Sequence, residues 1–197
     1  PVNDIENSRA ILRAEASSLA AVILDPWRLQ GGMVQPRRDY IAMLREECDR
    51  LGILLIFDEV VSLRMGYHGE QGRLGITPDL TTMGKIIGGG LPIGAVGGRR
   101  DVMAVFEMER GAQKVKHSGT FTANPLSMAT GYTSMALLTP AVFDRLAQQG
   151  ERLREGLRRI HRDCGLPGAI TGEASFTTMV LTDGPSNNYR ELAAAMT

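Results

Sequence analysis

The stretch ILLIFDEV, residues 53–60, runs from an apolar pentapeptide into two acids, and the fold is read outward from it. A short, continuous apolar run is the pattern of a strand buried on both faces. A second such run, LAAVILDP at 19–26, precedes it. Between them lies RRDYIAMLREECDRLG (37–52). There Tyr40, Ile41, Leu44, Cys48 and Leu51 recur at helical spacing, and Gly52 stands where a C-cap belongs. Downstream, a polar, glycine-bearing stretch (62–78) leads to PDLTTMGK, a third short strand. GLPIGAVGG then reads as a fourth, with glycines where backbones approach closely. Buried strands alternating with helices predict an α/β layer, a mainly parallel sheet flanked by helices. Ligands of such sheets gather at the carboxyl ends of the strands, and Asp58, Glu59 and Lys85 all fall at such ends.

After Arg100 the pattern turns helical. DVMAVFEM is a short helix, HSGTFTANP (117–125) a loop, and residues 126–138 and 141–163 two further helices. The charge run in the last of these reads as a solvated face. A composition shift at Gly165-Leu-Pro-Gly168 sets the expected boundary between a large domain, 1–164, and the start of a smaller α+β domain, 165–197. In the smaller part FTTMVLTDG (176–184) reads as a half-exposed strand. The chain starts at Pro1 and stops after ELAAAM, an apparent helix without a capping glycine, so both edges are expected to be cut.

Composition narrows the class. Apolar residues make up 43 % and charged residues 22 %, a globular balance with material for a core. Lysine plus arginine equals aspartate plus glutamate, 22 each, which argues against a nucleic-acid or membrane-surface binder. Cys48 and Cys164 form no C-x-x-C pair, so neither a structural disulfide nor a zinc site is expected. No secretory pattern opens the chain and no apolar run approaches about 18 residues, so a cytoplasmic protein is expected.

An apolar run ending in Asp-Glu also occurs on the metal-binding strand of nucleotide hydrolases. That reading needs G-x-x-x-x-G-K-[ST] on an earlier strand. The Gly84-Lys85 pair has Ile86 where Ser or Thr is required, Asp79 where the first glycine is required, and follows the acids instead of preceding them. The hydrolase reading fails on each count. Asp58 taken alone reads first as a strand-end cap for turn N–H groups, and a lysine at the next strand's end shifts that balance. An acid in a partly dry crevice needs a positive partner, and Lys85 or a protonated heterocycle would serve.

Lys85 sits in TTMGKIIGGGLPIG, residues 81–94. Partly desolvated among Met83, Ile86 and Ile87, it is favoured as the neutral amine, which condenses with carbonyls. The alternative is a lysine whose stem lies on the core and whose tip reaches water. The three glycines are read as room for a flat ligand. His68, His117 and His161 form no H-E-x-x-H; His117, just before SGT, is a candidate lining residue. Arg64, in the loop after FDEVVSL, is read as approaching the site or, as the commoner case, as part of a surface or interface ion pair; Trp27 and Tyr67 are read as pocket walls or, more commonly, as loop packing.

FDEV, then PDLTTMGKIIGGGLPIGAVGGR, then HSGTFTANP, in this order and spacing, resemble the class III aminotransferases. Within them the likeness is greatest to glutamate-1-semialdehyde 2,1-aminomutase and β-amino-acid aminotransferases. The resemblance implies the aspartate aminotransferase-like large domain (fold type I) and pyridoxal 5'-phosphate as cofactor. It implies that Lys85 holds the cofactor as a Schiff base, Asp58 pairs with the pyridine nitrogen and Val60 packs on the ring face. It further implies a homodimer in which Thr120 reaches the cofactor phosphate of the neighbouring subunit. Glu59 fits the pattern with no assigned role; an orienting hydrogen bond and a surface ion pair are both open. The implied substrate is a small amino acid or amino-aldehyde, moved by an aminomutase or a transaminase. A non-catalytic fragment acting through dimer contacts is the alternative. The family is roughly twice this length, with its amino-terminal phosphate loop outside this sequence.

Overall fold

The computed structural model describes residues 2–27, 35–109, 112–113 and 115–181. Helix α1 (Ile5–Ala14), which the periodicity argument passed over, is capped by Asp4, whose carboxylate accepts the Asn7 N–H at 3.1 Å. Strand β1 (Ala21–Leu24), helix α2 (Arg38–Leu51) and strand β2 (Leu54–Asp58) follow as expected. Gly52 closes α2 at φ +70°, the left-handed cap expected of it. A 3-10 turn, Ser62–Met65, and a short helix α3 (Gly69–Leu74) occupy the stretch read only as polar and glycine-bearing. Strands β3 (Leu80–Gly84) and β4 (Gly94–Gly98) complete the sheet.

Helix α4 (Arg100–Met103), the ribbon β5 (Met108–Glu109) and β6 (Ala112–Gln113), and the long helices α5 (Pro125–Leu137) and α6 (Pro140–Asp163) come next. Strand β7 (Ala169–Thr171) pairs antiparallel with β8 (Thr178–Val180) in a separate sheet; β7 was not foreseen. The expected strand 176–184 is therefore shorter, and its end, like the expected helix at ELAAAM, lies outside the described residues.

The main sheet runs β1-β2-β3-β4, with β1–β2 and β2–β3 parallel and β3–β4 antiparallel. A parallel return needs a long crossover, and the loop from Gly84 to Gly94 is too short to provide one, so β4 comes back as a hairpin. The expectation of strands buried on both faces needs correction. Leu55 and Phe57 are fully buried beneath α2, whereas Leu54 and Ile56 are half-buried and Ile23 is 63 % exposed. Only one face of the described sheet carries the main core, formed by Ile41, Leu44 and Cys48 of α2 with Leu55, Phe57 and Leu12. Burial there pushes the Cys48 thiol up to about 11.

One buried acid ties the sheet together. Asp79 accepts the Leu55 N–H at 2.7 Å, Arg45 at 2.9 Å and Arg99 at 2.8 Å. Burial pushes its carboxyl up, but the Leu55 N–H and the two guanidiniums outweigh that and hold it below the ordinary value. The link joins α2, β2, the start of β3 and the end of β4, so the carboxyl ends of β2 and β3 sit on a rigid frame.

Candidate active site

Strands β2 and β3 run parallel with Asp58 paired to Thr82, which places Asp58 three residues from Lys85 on the adjoining strand end. Thr82 Oγ1 donates to Asp58 Oδ1 at 3.0 Å, and the Val60 N–H donates to the same oxygen at 3.1 Å. Asp58 thus caps the strand end, while its other oxygen, Oδ2, takes no hydrogen bond from the described residues.

Lys85 opens a 3-10 turn (Lys85–Gly88) at φ +48°, a left-handed conformation that costs a side-chain-bearing residue about 1–2 kcal/mol. Its surroundings must impose that conformation. Lys85 lines a cleft of about 790 Å³ together with Val60, Val61, Leu91, Pro92 and Phe176. The expected burial is corrected: Lys85 is exposed in this chain, and Ile86 and Ile87 are half-buried beside it. Arg64 also lines the cleft, the approach to the site that its loop allowed, and makes no ion pair among the described residues.

The glycines behave differently from their reading. A Cβ on Gly88 would come within 2.8 Å of Ile93 Cγ2, and one on Gly89 would fall on the Thr130 carbonyl of α5. From the helix side, a Cβ on Gly131 would fall on the Ile87 carbonyl. Gly89 and Gly131 therefore let α5 lock against the turn that carries Lys85, while Gly88 leaves room for Ile93. Among the three consecutive glycines, Gly90 alone lines the cleft.

Glu59 is fully buried, so the ion-pair option is eliminated. Its carboxylate accepts the backbone N–H groups of Glu70 at 2.7 Å and Gln71 at 3.1 Å and the Gln71 side-chain amide at 3.1 Å. It anchors the start of α3, where Gly69 at φ +70° leaves room for it. Glu70, beside it, is raised by burial, with Arg73 opposing.

Thr120 is not brought to Lys85. It is exposed and lines a second cleft of about 630 Å³ with His117, Phe121 and Asn124, and the two clefts share Pro92. His117 stands edge-on to Phe106 at 5.8 Å. Trp27 is buried edge-on to Phe176 at 5.8 Å, and Tyr67 packs edge-on to Phe143 at 6.2 Å, both in the packing roles expected. Sequence reasoning missed Phe176 as a cleft residue; no local signal connects it to a strand end more than a hundred residues earlier.

A lysine and an aspartate thus meet at the carboxyl ends of adjacent parallel strands, beside an antiparallel neighbour. The chain belongs to the class-III aminotransferase family, whose profile matches residues 2–196. It is 38 % identical to beta-phenylalanine transaminase of Variovorax paradoxus over 195 residues, 98 % of this chain and 44 % of that protein. It is 40 % identical to glutamate-1-semialdehyde 2,1-aminomutase 2 of Brevibacillus brevis, over 96 % of this chain and 44 % of that one. Among solved structures, an omega-transaminase from Sphaerobacter thermophilus superposes with a TM-score of 0.92 at 46 % identity, covering 98 % of this chain and 44 % of that one. The chain therefore spans less than half the length of these relatives.

Proposed function

We propose that the protein to which this chain belongs is a pyridoxal-phosphate-dependent aminotransferase or aminomutase acting on a small amino acid or amino-aldehyde. The observation that carries the reading is the Asp58–Thr82 pair beside the Lys85 cleft. One carboxylate oxygen is immobilised by two donors and the other takes no hydrogen bond from the described residues, on the strand next to the one that leads into Lys85. These residues fit the cofactor. Asp58 would accept the ring N–H, Val60 would pack on the ring face, and Lys85 would carry the group covalently.

When bound, the cofactor supplies an electron sink for charge developing at the substrate carbon. Asp58 would hold the ring nitrogen by accepting its N–H. With the cofactor in place, the Lys85 amine would be the general base that moves a proton at the substrate carbon. Its anchorage on the glycine-locked turn holds that nitrogen in place. Thr120 would reach the phosphate of a neighbouring subunit, consistent with its position in a separate cleft, so the working unit is read as a homodimer. Residues 1–164 form the cofactor domain and 165–197 the start of the small domain. The balanced charge and two free cysteines favour a cytoplasmic setting. No helix among the described residues is long and apolar enough to cross a membrane.

The test is addition of pyridoxal phosphate to the full-length protein. A visible absorbance band that borohydride traps on Lys85, and that Lys85→Ala abolishes, is the expected result. An unchanged band in the variant would sink the reading. Supplying glutamate semialdehyde, then β-amino acids with a keto-acid acceptor, separates aminomutase from transaminase.

A further inference from the structure

The turn that carries Phe176 into the Lys85 cleft is held from two sides. Residues 172–177 link β7 to β8, and the Phe176 N–H donates to the Glu173 carbonyl at 2.8 Å. Ala174 stands at φ +48° within this turn, a left-handed conformation that a side-chain-bearing residue keeps only where its surroundings impose it. From α6, Arg154 fixes the shape of the turn through the Ala174 and Phe176 carbonyls. From α3, Arg73 reaches the Glu173 carboxylate and pairs with it.

Arg73 is itself placed by the strand end that bears Asp58. Glu59, the next residue, accepts the Glu70 and Gln71 N–H groups and so fixes the start of α3. Arg73 Nη1 donates to the buried Glu70 carboxylate at 3.0 Å, while Nη2 serves Glu173. The stem of Arg73 lies across Gly66, where an added Cβ would come within 3.2 Å of its Cγ and Cδ. One guanidinium therefore ties an acid of α3 to an acid in the turn after β7, and its planar fork fixes the angle between them. Phe176, three residues beyond Glu173, packs with Trp27 and Met65 and walls the cleft.

We propose that Arg73 is a positioning residue for this site: through Glu173 it seats Phe176 as an aromatic wall of the Lys85 cleft, and that wall favours donors bearing an aromatic group over donors bearing a small alkyl group. An aromatic wall gains most from a ring, through buried area and edge-on contact. The donor preference rests on the aminotransferase reading; the seating of Phe176 rests on the Arg73–Glu173 link alone. Removing Arg73 would strand Glu70 as an unpaired buried acid, so the link is best broken at Glu173.

In the full-length holoenzyme, Glu173→Lys keeps the Arg73–Glu70 pair and sets a second cation against Arg73. The readout is the kcat/KM for 3-amino-3-phenylpropanoate divided by that for 3-aminobutanoate, in which a methyl replaces the phenyl. This ratio does not depend on how much of the enzyme is active. It should fall about two- to tenfold, the range of a partly exposed ion pair made repulsive, mainly through the KM of the aromatic donor. In a Phe176→Ala background the same substitution should leave the ratio unmoved. A fall of less than about twofold, or a similar fall in both backgrounds, overturns the proposal. So does a parent that accepts other donors but neither of these. 4-Fluorophenylalanine at position 176 gives a second readout without turnover: its fluorine resonance should shift or broaden in Glu173→Lys, and an unchanged resonance overturns the clamp. If the parent moves no amino group from any donor, the aminotransferase reading fails separately, and the fluorine signal still decides whether Arg73 seats Phe176.

Discussion

Thr82 and Asp58 stand opposite each other on parallel strands, and the Thr82 hydroxyl donates to one carboxylate oxygen at 3.0 Å. With the Val60 N–H on the same oxygen, the carboxylate cannot rotate freely, and its other oxygen keeps a fixed direction. A charged group held this way needs no reorganisation when a ring nitrogen arrives.

Thr82→Val keeps the strand's shape and removes the donor. Cofactor affinity, read by absorbance titration of the full-length protein, should weaken about tenfold, the magnitude of one hydrogen bond to a charged group. Asp58→Asn should slow amino transfer by about a hundredfold or more, as expected when preorganised charge is lost. Parent-like behaviour in both variants would remove Asp58 from the proposed chemistry.

The glycines around Lys85 separate packing from conformation. Gly89→Ala and Gly131→Ala each place a methyl on a backbone carbonyl and should cost about 2–4 kcal/mol in denaturant unfolding. Gly90 stands at φ +98° with nothing within 4 Å of a new Cβ, so Gly90→Ala should cost only the conformational strain, about 1–2 kcal/mol. Equal losses at all three positions would contradict the interlocking of α5 with the Lys85 turn.

The α1–α2 contact should be acid-sensitive. Glu47 is held by Arg13 at 2.6 Å and Arg50 at 2.5 Å, and these guanidiniums lower its carboxyl from the ordinary 4.5 to about 2. A depressed folded-state value contributes stability that is fully present above the unfolded value and is lost as pH falls through the folded one. Thermal midpoints should therefore drop between about pH 5 and pH 2, and Glu47→Gln should flatten that part of the profile. The same slope in parent and variant would mean that Glu47 does not contribute.

Arg154 should govern where Phe176 sits. It is 2 % exposed and donates to the Ala174 carbonyl at 2.9 Å and the Phe176 carbonyl at 2.5 Å, while pairing with Glu151 at 2.7 Å. Arg154→Met leaves two carbonyls unbonded and should cost about 2–4 kcal/mol. Phe176 forms one wall of the Lys85 cleft and packs edge-on to Trp27, so limited proteolysis should cut the 172–177 loop faster in the variant. Unchanged proteolysis alongside a lowered midpoint would confine Arg154 to a purely structural role.

Local pattern made much of this protein legible. Apolar runs placed β1 and β2, a 3.6-residue period placed α2, and Gly52 marked its end. What escaped was either short or polar: α3 depends on Glu59 reaching across to the Glu70 and Gln71 N–H groups, a contact with no local periodicity. Strand β7 escaped because a three-residue segment carries too little pattern to read. The burial expected at Lys85 failed because apolar neighbours in sequence do not determine which way a strand-end side chain faces.

By itself, the sequence determined the succession β1, α2, β2, β3, β4 and the helices α5 and α6, the family, and the placement of Asp58 and Lys85 at strand ends, because periodicity and motif spacing are local properties. Only the tertiary structure decided that β4 returns antiparallel, that Gly88 and Gly89 make room for their own fold and not for a ligand, and that Arg64 lines the Lys85 cleft. It also decided that Thr120 faces a different cleft. These are contacts between segments far apart in the chain, set by how α5, α6 and the sheet pack, and close packing selects one arrangement among many that the same local pattern permits.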